Sequence, residues 1–297
     1  MKKNILKLIT ACTVTFSLFS FTVQAQNNER VTLGIDLTDA QEAQMLKEFG
    51  VKENEVSVDR ITNDDIIKQL GLDPNDQSNY QGGCYSSSYV KLTNSGGIQV
   101  TAKNLTEVTP LMLSNALVTS GVTNAEVKAS SPFHVTGTSA LSGILKGFES
   151  AKGEELSLKN KKTAQEEIET TSDLGEEIGY DEAAKVINDV KTKVIKEAPQ
   201  NSEEISKIVE NVTNNYTVEI SDEQKEQIKA LMVNINDLDI DYDNVKETLK
   251  NISNQISEAL KNSGKDIQDS GFFQGLFDAI GNFFSQFFDW IKGLGNN

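Results

Sequence analysis

VTLGIDLTDAQEAQMLKEFG, Val31 to Gly50, carries two periodicities end to end. Val31, Leu33, Ile35 and Leu37 alternate with smaller or polar residues, the period of a strand with one buried face. At Thr38 the pattern changes. Thr38 stands at a helix N-cap, Gln41 follows at the capping-box position, and Gly50 supplies the left-handed stop. A strand that runs directly into a capped helix predicts a sheet with helices packed on it. The same alternation continues downstream. EVSVDRI (Glu55–Ile61) reads as a strand, and Asn63 caps a short helix ending near Gly71, before Asp73-Pro74. CYSSSYVKLT (Cys84–Thr93) and GIQVTAKNL (Gly97–Leu105) flank Asn94-Ser95-Gly96, which predicts a β-hairpin. Thr109-Pro110, the preferred N-cap and first-turn pair, opens the helix TPLMLSNALVTSG. AEVKASSPF (Ala125–Phe133) follows as a strand and TGTSALSGILKGFESAKG as a helix. Residues 26–152 are therefore expected to form an α+β domain with a mixed or antiparallel sheet.

Residues 153–260 read as a helical domain. Ala184, Ile187, Val190 and Val194 share one face of a helix opened by Asp181-Glu182 and broken at Pro199. Ile205, Ile208 and Val212 line a helix beginning at Ser202. Ser221 and Gln224 form a capping box for SDEQKEQIKALMVNI, and Val245, Leu249, Ile252 and Ile256 line the next helix. The Lys and acidic residues fall mostly on the other faces and are expected to be solvated. Residues 261–270 are polar and read as a linker.

The N-terminus, MKKNILKLITACTVTFSLFSFTVQAQ, has a Lys-rich start, an apolar run and a small-residue cleavage site at Val23-Gln24-Ala25. Residues 1–25 are expected to be a signal peptide, giving a secreted, extracellular protein that can reside at the cell envelope. Ile9–Cys12 fits a lipoprotein box only loosely, because the apolar run continues past Cys12. Removal of the leader leaves 25 basic against 44 acidic residues, a charge of −19. This disfavours nucleic acid as a partner, since nucleic acid needs a basic footprint. Cys84 would be the one remaining cysteine, so stability must come from a packed core.

VTLGIDLTDAQEAQMLKEFGV, SSSYVKL, SPFHVTGTSALSGILKGFE, DLGEEIGYDEAAKVINDV and ISDEQKEQIKALMVNINDLDIDYDNVKETL occur here in order, and the chain from Val31 to about Leu260 resembles the YpuA-like proteins. These are exported proteins of Gram-positive bacteria that carry a domain of unknown function, the one numbered 1002. The resemblance implies secretion or envelope residence. It implies no activity, cofactor or catalytic residue.

Chemical candidates are few. A Cys84–His134 nucleophilic pair would need hydrogen-bond contact and a stabilised thiolate; otherwise Cys84 is a small buried residue or a thiol that pairs between chains. HVTGTSALSG (His134–Gly143) sets His134, Thr136, Gly137, Thr138 and Ser139 at a helix start, where N–H groups and hydroxyls suit a small anion. The alternative is a cap followed by small residues packed against the sheet. Asp237, Asp239, Asp241 and Asp243 alternate as in a calcium loop. They lack its turn glycine and bidentate Glu, and read instead as a connector between two helices. No metal and no cofactor is expected, because no zinc cluster, P-loop or hydrolase elbow occurs.

The last stretch, GFFQGLFDAIGNFFSQFFDWIKGLGNN (residues 271–297), holds 7 of the 13 Phe residues and the one Trp. On a helical wheel Phe273, Leu276, Phe277, Ile280, Phe283, Phe284, Phe287, Phe288, Ile291 and Leu294 form a broad apolar face, with Trp290 on its border. Asp278 and Asp289 oppose bilayer crossing, each costing about 2.5–3.5 kcal/mol at mid-membrane. The segment is expected to be an amphipathic helix that binds a membrane surface, associates with a second copy, or folds back on its own chain. A secreted, non-enzymatic envelope protein is the leading expectation. An envelope enzyme or small-anion-binding protein with its site at residues 134–139, and a soluble homo-oligomeric binding protein, are the alternatives.

Overall fold

The structure, a computed structural model, describes residues 28–76, 82–137 and 139–264. The expected leader, Thr138 and the aromatic segment 271–297 lie outside the described residues. Five strands are described, β1 (Glu29–Gly34), β2 (Ser57–Ile61), β3 (Ser87–Leu92), β4 (Ile98–Leu105) and β5 (Ala125–Val135). The first helices are α1 (Asp39–Phe49), α2 (Asn63–Leu70), α3 (Pro110–Thr119) and α4 (Ala140–Lys152). The architecture is α+β, with one mixed sheet of order β2-β1-β3-β5-β4. β1 pairs with β2 and β4 with β5 in parallel, each across a helical crossover, while β3 runs antiparallel to both β1 and β5. The capping boxes at Thr38/Gln41 and Thr109/Met112 are formed. The cap of α2 is Thr62, paired with Asp65, and Asn63 is the first helical residue.

The expected β3–β4 hairpin is not formed, because β5 lies between the two strands. Gly96 and Gly97 have φ of +99° and +70°, so the turn chemistry is present but serves a wider connection. Burial decides the placement. In β5, Ala125, Val127 and Ala129 are buried, whereas β4 exposes Gln99, Thr101 and Lys103 and takes the edge.

Val31, Leu33 and Tyr89 face α1, where Met45 and Phe49 seal them. The opposite face meets α4 through small groups. A Cβ on Gly147 would stand 3.0 Å from Thr32 Oγ1 and 3.4 Å from Val90 Cγ2, and Gly143 lies over Ser88 and Thr32. The glycine ridge lets α4 lie almost on the sheet backbone, which lengthens van der Waals contact on both sides. α3 covers the same face beside α4, and every residue from Leu111 to Thr119 is buried.

Behind α3 stand α5 (Leu158–Ile178), α6 (Tyr180–Glu197), α7 (Ser202–Thr213), α8 (Asp222–Asn236) and α9 (Tyr242–Asn262). One apolar cluster runs from Val90 and Val127 through Leu117 to Val190, Leu231 and Ile252. α6 is buried continuously from Glu182 to Thr192. The expectation of solvated charges therefore fails here. Amphipathic spacing identifies the most apolar face, but α6 is packed on its other faces too, so Lys185, Asp189 and Lys191 go inside with partners. Lys191 and Glu167 have side chains 0% and 1% exposed and pair at 2.6 Å. Lys191 Nζ also donates to Asn115 O at 2.8 Å and to Thr119 Oγ1 at 3.3 Å. The Thr119 hydroxyl donates to the other Glu167 oxygen. α3, α5 and α6 are thus tied at one buried point. Burial pushes the Lys191 ammonium below its ordinary range, against the pull of Glu167. On the same helix Lys185 pairs with Asp189, which also accepts from the Tyr216 hydroxyl.

Lys191→Met should strand the Glu167 carboxylate and destabilise the protein by about 3–5 kcal/mol. Adding Glu167→Leu should recover much of that loss. Urea unfolding of the two variants checks this; a single-variant loss below about 1 kcal/mol would show that the pair is not held as described.

Candidate functional site

β1 and β5 run in the same direction, so Ile35–Asp36, just past β1, and Phe133–His134, where β5 continues beyond its pairing with β3, gather at the end where Cys84–Tyr85 lead into β3. Carboxyl ends of parallel strands are the usual position of ligand crevices in such sheets. Gly34 is needed here, since a Cβ would stand 2.0 Å from Cys84 O. The Asp36 carboxylate accepts from Cys84 N at 2.7 Å, and Asp36 N donates to Cys84 O at 3.3 Å. Tyr85 and Phe133 meet edge to face at 5.0 Å. Phe133 is 41% exposed and Ile35 44%, so this end presents apolar surface to solvent.

The residues expected to hold an anion are spread along this end. His134 is exposed, and among the described residues its ring has no hydrogen-bond partner. Thr136 is exposed, and its carbonyl accepts from Glu107 N at 3.1 Å. Gly137 is buried with φ +91°, and a Cβ there would stand 2.9 Å from Leu105 Cβ. Thr138 lies outside the described residues. Ser139 precedes α4 but makes no side-chain cap. Ala140 N donates to Gly137 O at 2.9 Å, and Ser142 and Gly143 are buried. The small residues of the second half of HVTGTSALSG pack on the sheet.

Cys84 is 3% exposed, and its thiol donates to Asn63 Oδ1 at 3.0 Å. Burial, with Asp36 and Asp65 nearby, pushes the thiol from an ordinary 9.0 up to about 11. Asp65 itself is charged: burial would raise its carboxyl, but hydrogen bonds from Lys146 and Thr62 hold it below the ordinary range. The arrangement favours the protonated thiol, the reverse of what a nucleophile requires.

The acidic run joins α8 to α9. Asp241 caps α9 by accepting from Asp243 N at 2.9 Å, Asp243 pairs with Lys246, and the Asp237 carbonyl accepts from Lys159. Leu238 is buried beneath them. Each of these contacts secures the connector.

A different depression escapes sequence reasoning. Asn94, Ser95, Gly96 and Gly97 of the β3–β4 turn face Thr123 and Asn124, which precede β5, and Asn244, Glu247, Thr248 and Asn251 of α9. The cleft measures about 550 Å³. Asn124 Oδ1 accepts from Gly97 N at 2.9 Å, and its amide donates to Thr123 Oγ1 at 3.3 Å. Thr248 Oγ1 donates to Thr123 O at 3.5 Å, joining α9 to the sheet. The available signal was the Asn-Ser-Gly-Gly run, which also encodes an ordinary turn. Its partners on α9 stand about 150 residues away.

This chain, with its five-stranded mixed sheet and helical bundle on one core, belongs to the family described as protein of unknown function (DUF1002), which matches residues 33–252. It is 33% identical over 261 residues to the uncharacterized protein YpuA of Bacillus subtilis strain 168, covering 86% of this chain and 89% of that protein. No solved structure matches it.

Native Cys84 should react with an aromatic disulfide reagent at pH 8 about 100-fold more slowly than the urea-unfolded chain. The raised thiol also fixes a sign. Between an ordinary 9.0 and about 11 the unfolded chain has lost the proton that the native chain keeps, so stability falls as pH rises through that window. Cys84→Ala should flatten this part of the stability–pH curve, measured by urea unfolding from pH 8 to pH 11.

Proposed function

We propose that this chain is an exported, non-enzymatic protein of the cell envelope whose body is brought to a lipid surface by residues 271–297. The observation that carries the reading is the sequence of that segment. Ten apolar residues recur at helical spacing, and the charged residues are limited to Asp278, Asp289 and Lys292. Aromatics of this kind sink into the headgroup boundary while a polar strip faces water, and two acids disfavour crossing. No described helix is long and apolar enough to cross a membrane. The leader pattern of residues 1–25 supports export. The protonated, buried Cys84 and the exposed His134, with no hydrogen bond between them among the described residues, support a binding rather than a catalytic role.

A second reading has its own support. Interfacial helices are commonly Lys-rich, and Lys292 is the one cation here, so an apolar face of this breadth also suits association with a second copy.

Protein spanning residues 26–297 should co-sediment with phosphatidylcholine vesicles, and protein ending at Ser270 should remain in the supernatant. If neither form sediments with zwitterionic or anionic vesicles, the membrane reading fails. If light scattering without lipid finds the longer form alone larger than a monomer, self-association replaces it.

A further inference from the structure

We propose that the cleft between the β3–β4 turn and α9 binds an uncharged, polyhydroxylated ligand of the neutral oligosaccharide class. This inference stands apart from the membrane reading, since none of its residues belongs to the aromatic segment.

The volume of about 550 Å³ lies within the range of small-molecule sites. The chemistry of the lining selects the ligand. Amides and hydroxyls supply donors and acceptors together, which is what a sugar hydroxyl, itself both donor and acceptor, requires. Glu247 is the one charged group among the described lining residues, although Lys is abundant in the chain. Among the described lining residues a phosphate or carboxylate ligand would find no cation and a carboxylate opposing it. A carboxylate that accepts two hydroxyls is instead well suited to a neutral diol.

The lining divides by hydrogen bonding. Asn124, Thr123 and Thr248 are committed to one another and to Gly97, and they fix the walls. Asn94, Glu247 and Asn251 are exposed, and among the described residues their side chains make no hydrogen bonds. Their capacity is thus available to a ligand on a scaffold already held in place, which lowers the ordering cost of binding.

Glycine keeps the cleft open. Gly96 and Gly97 have positive φ, and a Cβ on Gly97 would stand 3.7 Å from Asn251 Nδ2. A side chain at Gly97 would therefore be strained by the backbone and would project toward Asn251. A second depression of about 350 Å³, lined also by Glu126 and Lys128, adjoins across Ser95–Gly97 and is not part of the proposed site. There the buried Thr93 Oγ1 has no hydrogen-bond partner among the described residues. Among the described residues no aromatic ring lines either depression, so recognition by them rests on hydrogen bonds and is correspondingly weak.

The test uses protein spanning residues 26–297, titrated by saturation-transfer NMR with maltotetraose, tetra-N-acetylchitotetraose, triglycine and inorganic phosphate. At least one of the two sugars should bind saturably, and triglycine and phosphate should not. Asn94→Ala and Asn251→Ala alter exposed side chains without hydrogen bonds, so the thermal midpoint should stay unchanged. Each should weaken sugar binding about tenfold, the loss of one or two hydrogen bonds. The proposal is overturned if neither sugar binds, if phosphate or triglycine binds in preference, or if both variants bind sugar as the parent does.

Discussion

The buried ion pair of Lys191 and Glu167 fixes how α3, which covers the sheet, is set against α5 and α6. An ammonium at 0% exposure is tolerable only when its donors are used, and Lys191 uses them on Glu167, on the Asn115 carbonyl and on the Thr119 hydroxyl. Asn115 and Thr119 belong to α3, the helix that also covers the sheet. Asn115 reaches further, donating to Ala184 O of α6 at 3.0 Å, and Asn160 of α5 donates to Thr119 O at 3.1 Å. Apolar burial pushes α3, α5 and α6 together without specifying their rotation. The polar contacts do specify it, because a one-residue slip of α6 would leave both charges unpaired in the core. The sugar cleft depends on this indirectly, since one wall follows the sheet and the other follows α9, which packs on α6 and α3.

Local features of this fold were legible because their causes are local. The change of period at Thr38, the Thr109-Pro110 start and the Ser221/Gln224 box each depend on residues within one turn, and all appear in the structure. Strand order depends on remote burial. Asn94–Gly97 encodes a reversal but does not say whether the returning strand lies beside β3 or one place further out. The answer lies in β5, whose Ala125, Val127 and Ala129 are needed against α3 and α4 in the sheet interior. The charged residues of α6 were illegible for the same reason. An apolar stripe with Lys on its flanks reads as a surface helix until α3, α5, α7, α8 and α9 are known to surround it.

The candidate sites divide along the same line. The sequence marks Cys84 and His134 as chemically able residues, but reactivity is a property of surroundings. Asn63 and Asp36 arrive from two other segments and make the thiol a buried donor. Conversely, asparagine, serine and glycine in a turn carry no mark of a binding site. The cleft exists because α9, far along the chain, lies opposite that turn.

Charge links the two proposed activities. A chain with 44 acidic against 28 basic residues has little means of attracting an anionic surface or ligand at long range. Two kinds of contact remain open to it, burial of apolar area and hydrogen bonding to uncharged groups. The aromatic segment is composed for the first, with one Lys and a broad stripe of Phe. The amide-lined cleft suits the second, with neither cation nor aromatic ring among its described lining residues. Neither contact is screened appreciably by salt, because neither depends on opposite charge. Were both proposals to hold, binding to a neutral glycan and to a lipid interface would depend little on ionic strength, whereas recognition by Lys and Arg weakens as salt rises.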